Sequence, residues 1–307
     1  MKPNRIDAVA VIVLNLDRRD LLLECLASVK AQRHAAVEIV VVDNGSSDGS
    51  ADAVARQFPG VDVLRQSRNL GVAGGRNAGF AWVCANLRPS YLLFIDNDTL
   101  LDPQAVSAFV AAASGDPGVG LVAPKAFRRC GESTLVSAGG MKFNPYIGAA
   151  WDVASGESDR GQFEAPHDVD ACPGYAFFVR REVFEAIGGF DENFNPYGWE
   201  DVDFSLRARR AGFRLTYAPG AVVFHAGGRA GRGPNLRYER YKVQKMIYLV
   251  RRHSTPAQWF CFLLLFPIRG VYRVMREILT GNVGVVLAWL RGMLDRNPQN
   301  GRVGRRQ

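Results

Sequence analysis

The chain has 307 residues, 48% of them hydrophobic, enough for one large core or a core with an appendage. Its formal charge of +8 sits at one end: residues 1–236 hold 24 Lys/Arg against 27 Asp/Glu, and residues 237–307 hold 14 against 3. The basic tail points to an anionic partner, membrane headgroups or nucleic acid, while five scattered cysteines without a Cys-x-x-Cys pair exclude a disulfide framework or zinc site and fit a reducing compartment.

Strand patterns over residues 8–14, 38–42, 61–65 and 91–95 alternate with helical ones over 20–32, 50–58 and 72–85. The first apolar run is short and leads into Asn15-Leu16-Asp17-Arg18-Arg19, so it reads as a strand and not as a signal peptide. Asp102-Pro103 reads as a helix cap followed by proline at the first helical position. This alternation predicts an α/β fold, a mostly parallel sheet with helices on both faces. Ligands of such sheets bind beyond the carboxyl ends of the strands, where one crevice gathers Asn15, Asp43 and Asp96.

Residues 115–170 read as mixed strands and loops, followed by a strand at 175–179 and helices at 181–187 and 201–211. Two short strands are expected at 214–217 and 221–224, and a helical pattern from Leu236 onward. In the tail, the apolar run 259–266 is broken by Pro267, and a second covers 283–290. Neither reaches the ~18 residues of a spanning helix. With Arg269, Arg273, Arg276 and Arg291 nearby, the tail suits a membrane interface; the alternative is a helical pair packed on the main domain. Residues 301–307 are expected to be disordered.

Val40-Val41-Val42-Asp43-Asn44-Gly45-Ser46-Ser47-Asp48-Gly49 is a strand entering a tight polar turn. Asp43 suits the ring N–H of a pyrimidine, or it caps the turn. The segment from Arg68 to Gly79 leads from the third strand into a helix rich in glycine. A helix N-terminus there attracts phosphate, with Arg68 or Arg76 adding charge; small residues also suit tight helix–sheet packing. Glycines do not follow the first strand, so this is not a dinucleotide-binding fingerprint.

Asp96-Asn97-Asp98 follows the buried strand at 91–95. Paired carboxylates there suit a divalent cation able to hold a diphosphate, although the tripeptide also serves as a helix-entry turn. In Trp199-Glu200-Asp201-Val202-Asp203-Phe204, Glu200 or Asp201 is a candidate general base, and Asp203 pairs with Arg207 four residues on. Trp199 suits a sugar ring or a core position. His225, after the strand at 221–224, is a candidate third metal ligand; His34, His167 and His253 have no such context. The set suggests metal-assisted transfer from a nucleotide diphosphate.

In order, these motifs resemble the family 2 glycosyltransferases, inverting enzymes of the GT-A fold, and most closely their rhamnosyltransferase-like branch. The likeness covers residues 7–250 and includes Gly188-Gly189-Phe190-Asp191-Glu192. It implies a donor site built from Asn15, Asp43, Arg68, Asn77, Asp96 and Asn97, with Asp43 on the base and Asp96 on the ribose or, through water, on the metal. It implies Mg²⁺ or Mn²⁺ on Asp98 and His225, Asp201 as base, and Trp199 and Glu200 beside the acceptor. The chain departs from the family at Leu16-Asp17, where an aromatic is common, and at Arg229, where a serine is common.

The implied reaction moves a sugar, rhamnose first, from a dTDP- or UDP-sugar to a hydroxyl of a cell-surface glycan or lipid-linked acceptor. Galactofuranose, N-acetylglucosamine and glucose are the alternative sugars. Residues 1–235 form the expected catalytic domain, and 236–307 an extension holding it to the inner face of the cell membrane. A loop around 140–175 is expected to govern donor choice, and the loop at 194–199 with the tail to govern acceptor choice. A nucleotidyltransferase would need a Gly-rich loop after the first strand, and a non-catalytic module would not need Asp98, Asp201 and His225 together. Nucleic acid is not expected, because no basic strand carries interleaved aromatics.

Overall fold

Apolar runs bounded by polar turns build the sheet from its centre outward. The computed structural model describes residues 7–225 and 235–295. The first half reads β1 (Val9–Asn15), α1 (Arg19–Lys30), β2 (Val37–Asp43), α2 (Ser50–Gln57), β3 (Asp62–Arg65), α3 (Gly71–Asn86) and β4 (Tyr91–Asp96). These four strands are mutually parallel, in the order β4-β1-β2-β3. The register sets Asn15 opposite Asp43 and Leu14 opposite Asp96, so the polar strand ends lie side by side.

After β4 come β5 (Thr99–Leu101), α4 (Ala105–Ser114), β6 (Val119–Phe127), β7 (Leu135–Ala138), β8 (Met141–Asn144), β9 (Ala149–Asp152), β10 (His167–Asp168) and β11 (Ala176–Arg180). Then come α5 (Arg181–Ile187), a 3₁₀ turn at Glu192–Phe194, α6 (Glu200–Arg210), and β12 (Arg214–His225). β11 inserts antiparallel between β4 and β6, making the sheet mixed. β8 and β9 form a separate antiparallel hairpin.

Three sequence expectations change here. The two strands foreseen at 214–217 and 221–224 are one strand, β12, whose ladder with β6 shifts register between Ala218 and Val222, around Pro219-Gly220. The helix foreseen at Asp102-Pro103 starts at Ala105; Asp102 instead accepts from the Gln104 amide, closing a turn. β5 was not foreseen, and it pairs antiparallel with β12, setting His225 opposite Thr99.

Apolar cores cover both sheet faces, with Leu22, Leu26, Phe109 and Phe178 on one, and Ile12, Phe94, Phe177, Phe184 and Phe204 on the other. Fully burying each such side chain contributes roughly 1.5–3 kcal/mol. α3 lies against the sheet because Gly75 and Gly79 leave room for Leu14, Ile12 and Val42.

The extension contains α7 (Leu236–His253), α8 (Pro256–Leu279) and α9 (Val283–Leu294). α8 begins with a capping box between Thr255 and Gln258 and runs through Pro267 unbroken, contrary to the sequence expectation. A helix interior normally loses about 3 kcal/mol at proline, and here burial of Phe262, Phe266 and Trp289 in one cluster holds the segment together. Among the described residues no helix is long and apolar enough to cross a membrane. Arg229 and residues 301–307 lie outside the described residues.

Candidate active site

The aligned ends of β1, β2 and β4 form the floor of a crevice. Asn15 and Asn97 are buried, and Asn97 donates to Asn15 Oδ1 at 2.7 Å. Asn15 in turn donates to Ser46 Oγ at 3.2 Å, fixing the turn after β2. Asp43, also buried, accepts from the Ser46 amide at 3.3 Å. Asn44 ties that turn to the loop before α3, donating to Asn69 and accepting from the Leu70 amide. Gly45 has φ of +83°, and a Cβ there would lie 2.8 Å from the Arg68 carbonyl carbon, so only glycine permits this approach. Arg68 is exposed at the rim.

Asp96, Asp98 and His225 each offer a ligand atom, and these atoms lie within 4.8 Å of one another. His225 Nε2 is 3.4 Å from Asp98 Oδ1, and Arg18 donates to Asp98 Oδ2 at 3.0 Å. Burial pushes the Asp98 carboxyl up, but His225 and Arg18 hold it below its ordinary value. Burial pulls His225 down, and its hydrogen bond and charge contact with Asp98 raise it instead. Two hard oxygens and one imidazole form a donor set that fits Mg²⁺ or Mn²⁺.

Arg76 joins this cluster to the opposite wall. Its buried guanidinium donates to Asp96 Oδ1 at 3.2 Å, to Glu200 Oε1 at 3.1 Å, and to the Gly174 carbonyl at 2.8 Å. Glu200 is 6% exposed and also accepts from the Gly198 amide. Burial, then the adjacent Asp201 charge, push Glu200 up to about 7 against the pull of Arg76. Asp201 accepts from the Gly174 amide at 2.8 Å; burial raises it too, against Arg76 and backbone donors. Trp199, just before, has φ of +74°, a conformation that costs of order 1–3 kcal/mol outside glycine. Its indole donates to the Lys242 carbonyl, and its ring packs in the cluster shared with the extension.

Several sequence expectations are corrected. Asn77 does not reach the crevice, because its amide is spent on Phe190 and Glu192. The α3 N-terminus is not open to phosphate: Asn69, Pro196 and Asn195 already accept from its Gly71, Val72 and Ala73 amides. Arg76, of the two arginines expected to add charge for a nucleotide, is buried and spent on Asp96, Glu200 and the Gly174 carbonyl. Glu200 accepts from Arg76 and the Gly198 amide, and Asp201 from the Gly174 and Val202 amides, so both carboxylates are held in place. Asp203 pairs with Arg207 at 2.8 Å as expected, but His253 also contacts it.

Two residues here escaped the sequence reading. Tyr175 stacks on His225 with ring centroids 4.4 Å apart. Asp152, at the end of β9, has its carboxyl raised to about 6 by burial, opposed by the charge of His225. Tyr175 Oη, Asp152 Oδ1 and His225 Nδ1 are buried without a hydrogen-bond partner among the described residues. An isolated Asp in an irregular segment carries no sequence signal of this.

A family model, "Glycosyl transferase family 2", matches residues 10–188, more than half of the chain. The chain belongs to glycosyl transferase family 2. A second model, "N-terminal domain of galactosyltransferase", matches residues 159–228. The glycosyltransferase is 27% identical over 280 residues to N-acetylglucosaminyl-diphospho-decaprenol L-rhamnosyltransferase of Mycobacterium tuberculosis, covering 82% of this chain and 89% of that one. It is 26% identical over 253 residues to glycosyltransferase AglE of Haloferax volcanii, covering 80% and 76%.

Its fold is GT-A. A mannosyltransferase of Pyrobaculum calidifontis, solved with GDP-Man and Mn²⁺, superposes with a TM-score of 0.57 at 17% identity over 94% of this chain and 87% of that one. GalNAc-T7, solved with UDP, GalNAc and Mn²⁺, gives 0.61 at 18% identity; the match covers 80% of this chain and about half, 47%, of that one.

Proposed function

We propose that this glycosyltransferase transfers rhamnose, with inversion, from a nucleotide-diphospho-sugar to a hydroxyl of a lipid-linked glycan. The observation that carries this reading is the convergence of Asp96, Asp98 and His225 within 4.8 Å, joined through buried Arg76 to the helix bearing Asp201. Asp98 and His225, with Asp96 alongside, would hold Mg²⁺ or Mn²⁺. Such an ion, when bound, stabilises the charge of a leaving diphosphate.

The remaining chemistry belongs to the chain. Asp43 accepts from the donor's base, and Asn15 and Asn97 brace the floor beneath it. Asp201 takes the proton of the acceptor hydroxyl as its oxygen attacks the anomeric carbon from the face opposite the diphosphate. The bond from that carbon to the diphosphate oxygen breaks, and the electron pair leaves with the diphosphate. A carboxyl raised above its ordinary value is a better proton acceptor at neutral pH, and burial supplies that shift. The Gly174 amide holds the carboxylate in place.

Rhamnose and a lipid-linked acceptor rest on the mycobacterial relative's name. Residues 1–235 act as the catalytic unit, and residues 236–307 seat it on the inner face of the cell membrane. The test is thermal-shift binding of UDP, dTDP and GDP, each with and without Mn²⁺, on wild type and on Asp98→Ala. A metal-dependent shift with dTDP, lost in the variant, is expected. No shift with any nucleotide would overturn the reading, and a shift with GDP alone would overturn the donor.

A further inference from the structure

A cavity lies away from the metal cluster, between the helical extension and the β8–β9 hairpin. It measures about 720 Å³, within the size range of ligand pockets. Its walls are mostly apolar, with Ile147 and Gly148 from the hairpin turn, Met246 from α7, Phe266 from α8, Trp289 from α9, and Trp199. We propose that this cavity receives the diphosphate and the first isoprenoid units of the acceptor's lipid carrier, a placement that rests on the transferase reading.

Three features commit the cavity to this occupant. The first is charge. Lys242, Arg269, Arg273 and Arg276 face it against only Glu239 and Glu277, an excess of two positive charges. Arg273 pairs with Glu239 at 2.6 Å, and Arg276 pairs with Glu277. Arg273 still keeps a buried Nε without a partner. Arg269 donates to the Ile147 carbonyl, which holds its guanidinium against the hairpin turn. Guanidinium groups suit diphosphate oxygens because their fork matches two acceptors at once.

The second feature is continuity with the catalytic crevice. Ala149 and Ala150 of β9 line the cavity, and Asp152, at the end of the same strand, lies near enough to His225 to feel its charge. Three residues of strand span roughly 10 Å. From the other side, Trp199 lines the cavity and the next two residues are Glu200 and Asp201. The cavity is therefore joined by short stretches of chain to both Asp152 and the helix start that bears Asp201.

The third feature is the exit. Phe260, Leu264, Ile268, Val271 and Met275 recur every three or four residues along α8, all exposed. Ile268 is 67% exposed and Tyr272 71%, yet both also line the cavity. An apolar chain leaving the cavity therefore continues along this face into a bilayer on which the face lies.

The probe is farnesyl diphosphate in EDTA, without nucleotide or divalent metal, titrated into the full chain with tryptophan fluorescence as readout. Trp199 and Trp289 line the cavity and report its filling. Saturable binding is expected for wild type and for Asp98→Ala, and at least tenfold weaker binding for Arg269→Gln/Arg273→Gln. Farnesol and inorganic diphosphate are each expected to bind at least tenfold more weakly than farnesyl diphosphate. No saturable signal from farnesyl diphosphate would overturn the proposal, as would farnesol binding equally well, which marks a merely apolar docking face. Loss of binding in Asp98→Ala would place the ligand in the metal crevice and overturn it too. Should the double variant fail to fold, the ratio of farnesyl diphosphate to farnesol affinity on wild type decides. The assay needs no turnover, so its outcome is separable from the nucleotide-binding test of the transferase reading.

Discussion

His253, the last residue of α7, sets its Nε2 2.7 Å from Asp203 Oδ1, with both side chains buried. Asp203 lies on α6, two residues after Asp201, so the extension is fastened directly to the helix that carries the proposed base. Arg207 and Arg252 hold the same carboxylate at 2.8 and 3.2 Å.

Replacing His253 by Ala removes one partner of a fully buried carboxylate. The expected loss is about 1–3 kcal/mol in urea unfolding. Burial pushes Asp203 up, but its partners hold it below the ordinary value. The stabilisation it supplies is therefore present above the unfolded carboxyl pKa and lost as pH falls through the lower folded one. A variant as stable as wild type at pH 7 would show that the contact holds nothing.

Arg76→Lys is expected to behave almost like Arg76→Ala. One ammonium cannot reach Asp96, Glu200 and the Gly174 carbonyl in the planar pattern that the guanidinium spans. Removing a buried charge from its partners costs roughly 3–5 kcal/mol. Melting temperature and transfer rate should fall together, and rescue of both by lysine would contradict the bridge.

Asp152→Asn separates stability from activity. The carboxyl, raised to about 6 by burial, leaves an oxygen without a partner among the described residues. A raised carboxyl weakens the fold as pH climbs from its unfolded value to its folded one, and the whole penalty stands above pH 6. The variant should therefore melt higher than wild type at pH 8, by about 1–3 kcal/mol of stability, and lose that advantage at pH 4. Transfer should decrease. Equal melting at pH 8 would place the oxygen in contact with water.

Asp201→Asn should lower kcat by roughly 10²–10⁴ while nucleotide binding in thermal shift is kept. The amide still fills the space beside Gly174 but takes no proton. Wild-type activity should fall on the acid side, as the carboxyl is protonated. An unchanged kcat, or loss of nucleotide binding, would remove Asp201 from the role of base.

The parallel half of the fold was legible because buried strands carry unbroken apolar runs, and the polar residues ending them fall into register. Asn15, Asp43 and Asp96 could be placed from that alone. β5 could not, since three residues carry no period. Arg76 read as a charge available to a nucleotide because burial of a charge does not appear in a pattern; it depends on Glu200, 124 positions away. Asn77 looked available for the same reason, although Phe190 uses both ends of its amide. Pro267 read as a break, yet packing of Phe262 and Phe266 in the same cluster outweighs the lost hydrogen bond.

The pairing of β5 with β12 has a consequence for biosynthesis. Asp98 and His225 become neighbours only when Thr99–Leu101 and Val223–His225 zip together. A nascent chain still short of residue 225 on the ribosome already contains every strand of the parallel half, but lacks the imidazole that completes the cradle. On the proposed reading, the metal cradle is therefore assembled only once β12 has joined the sheet.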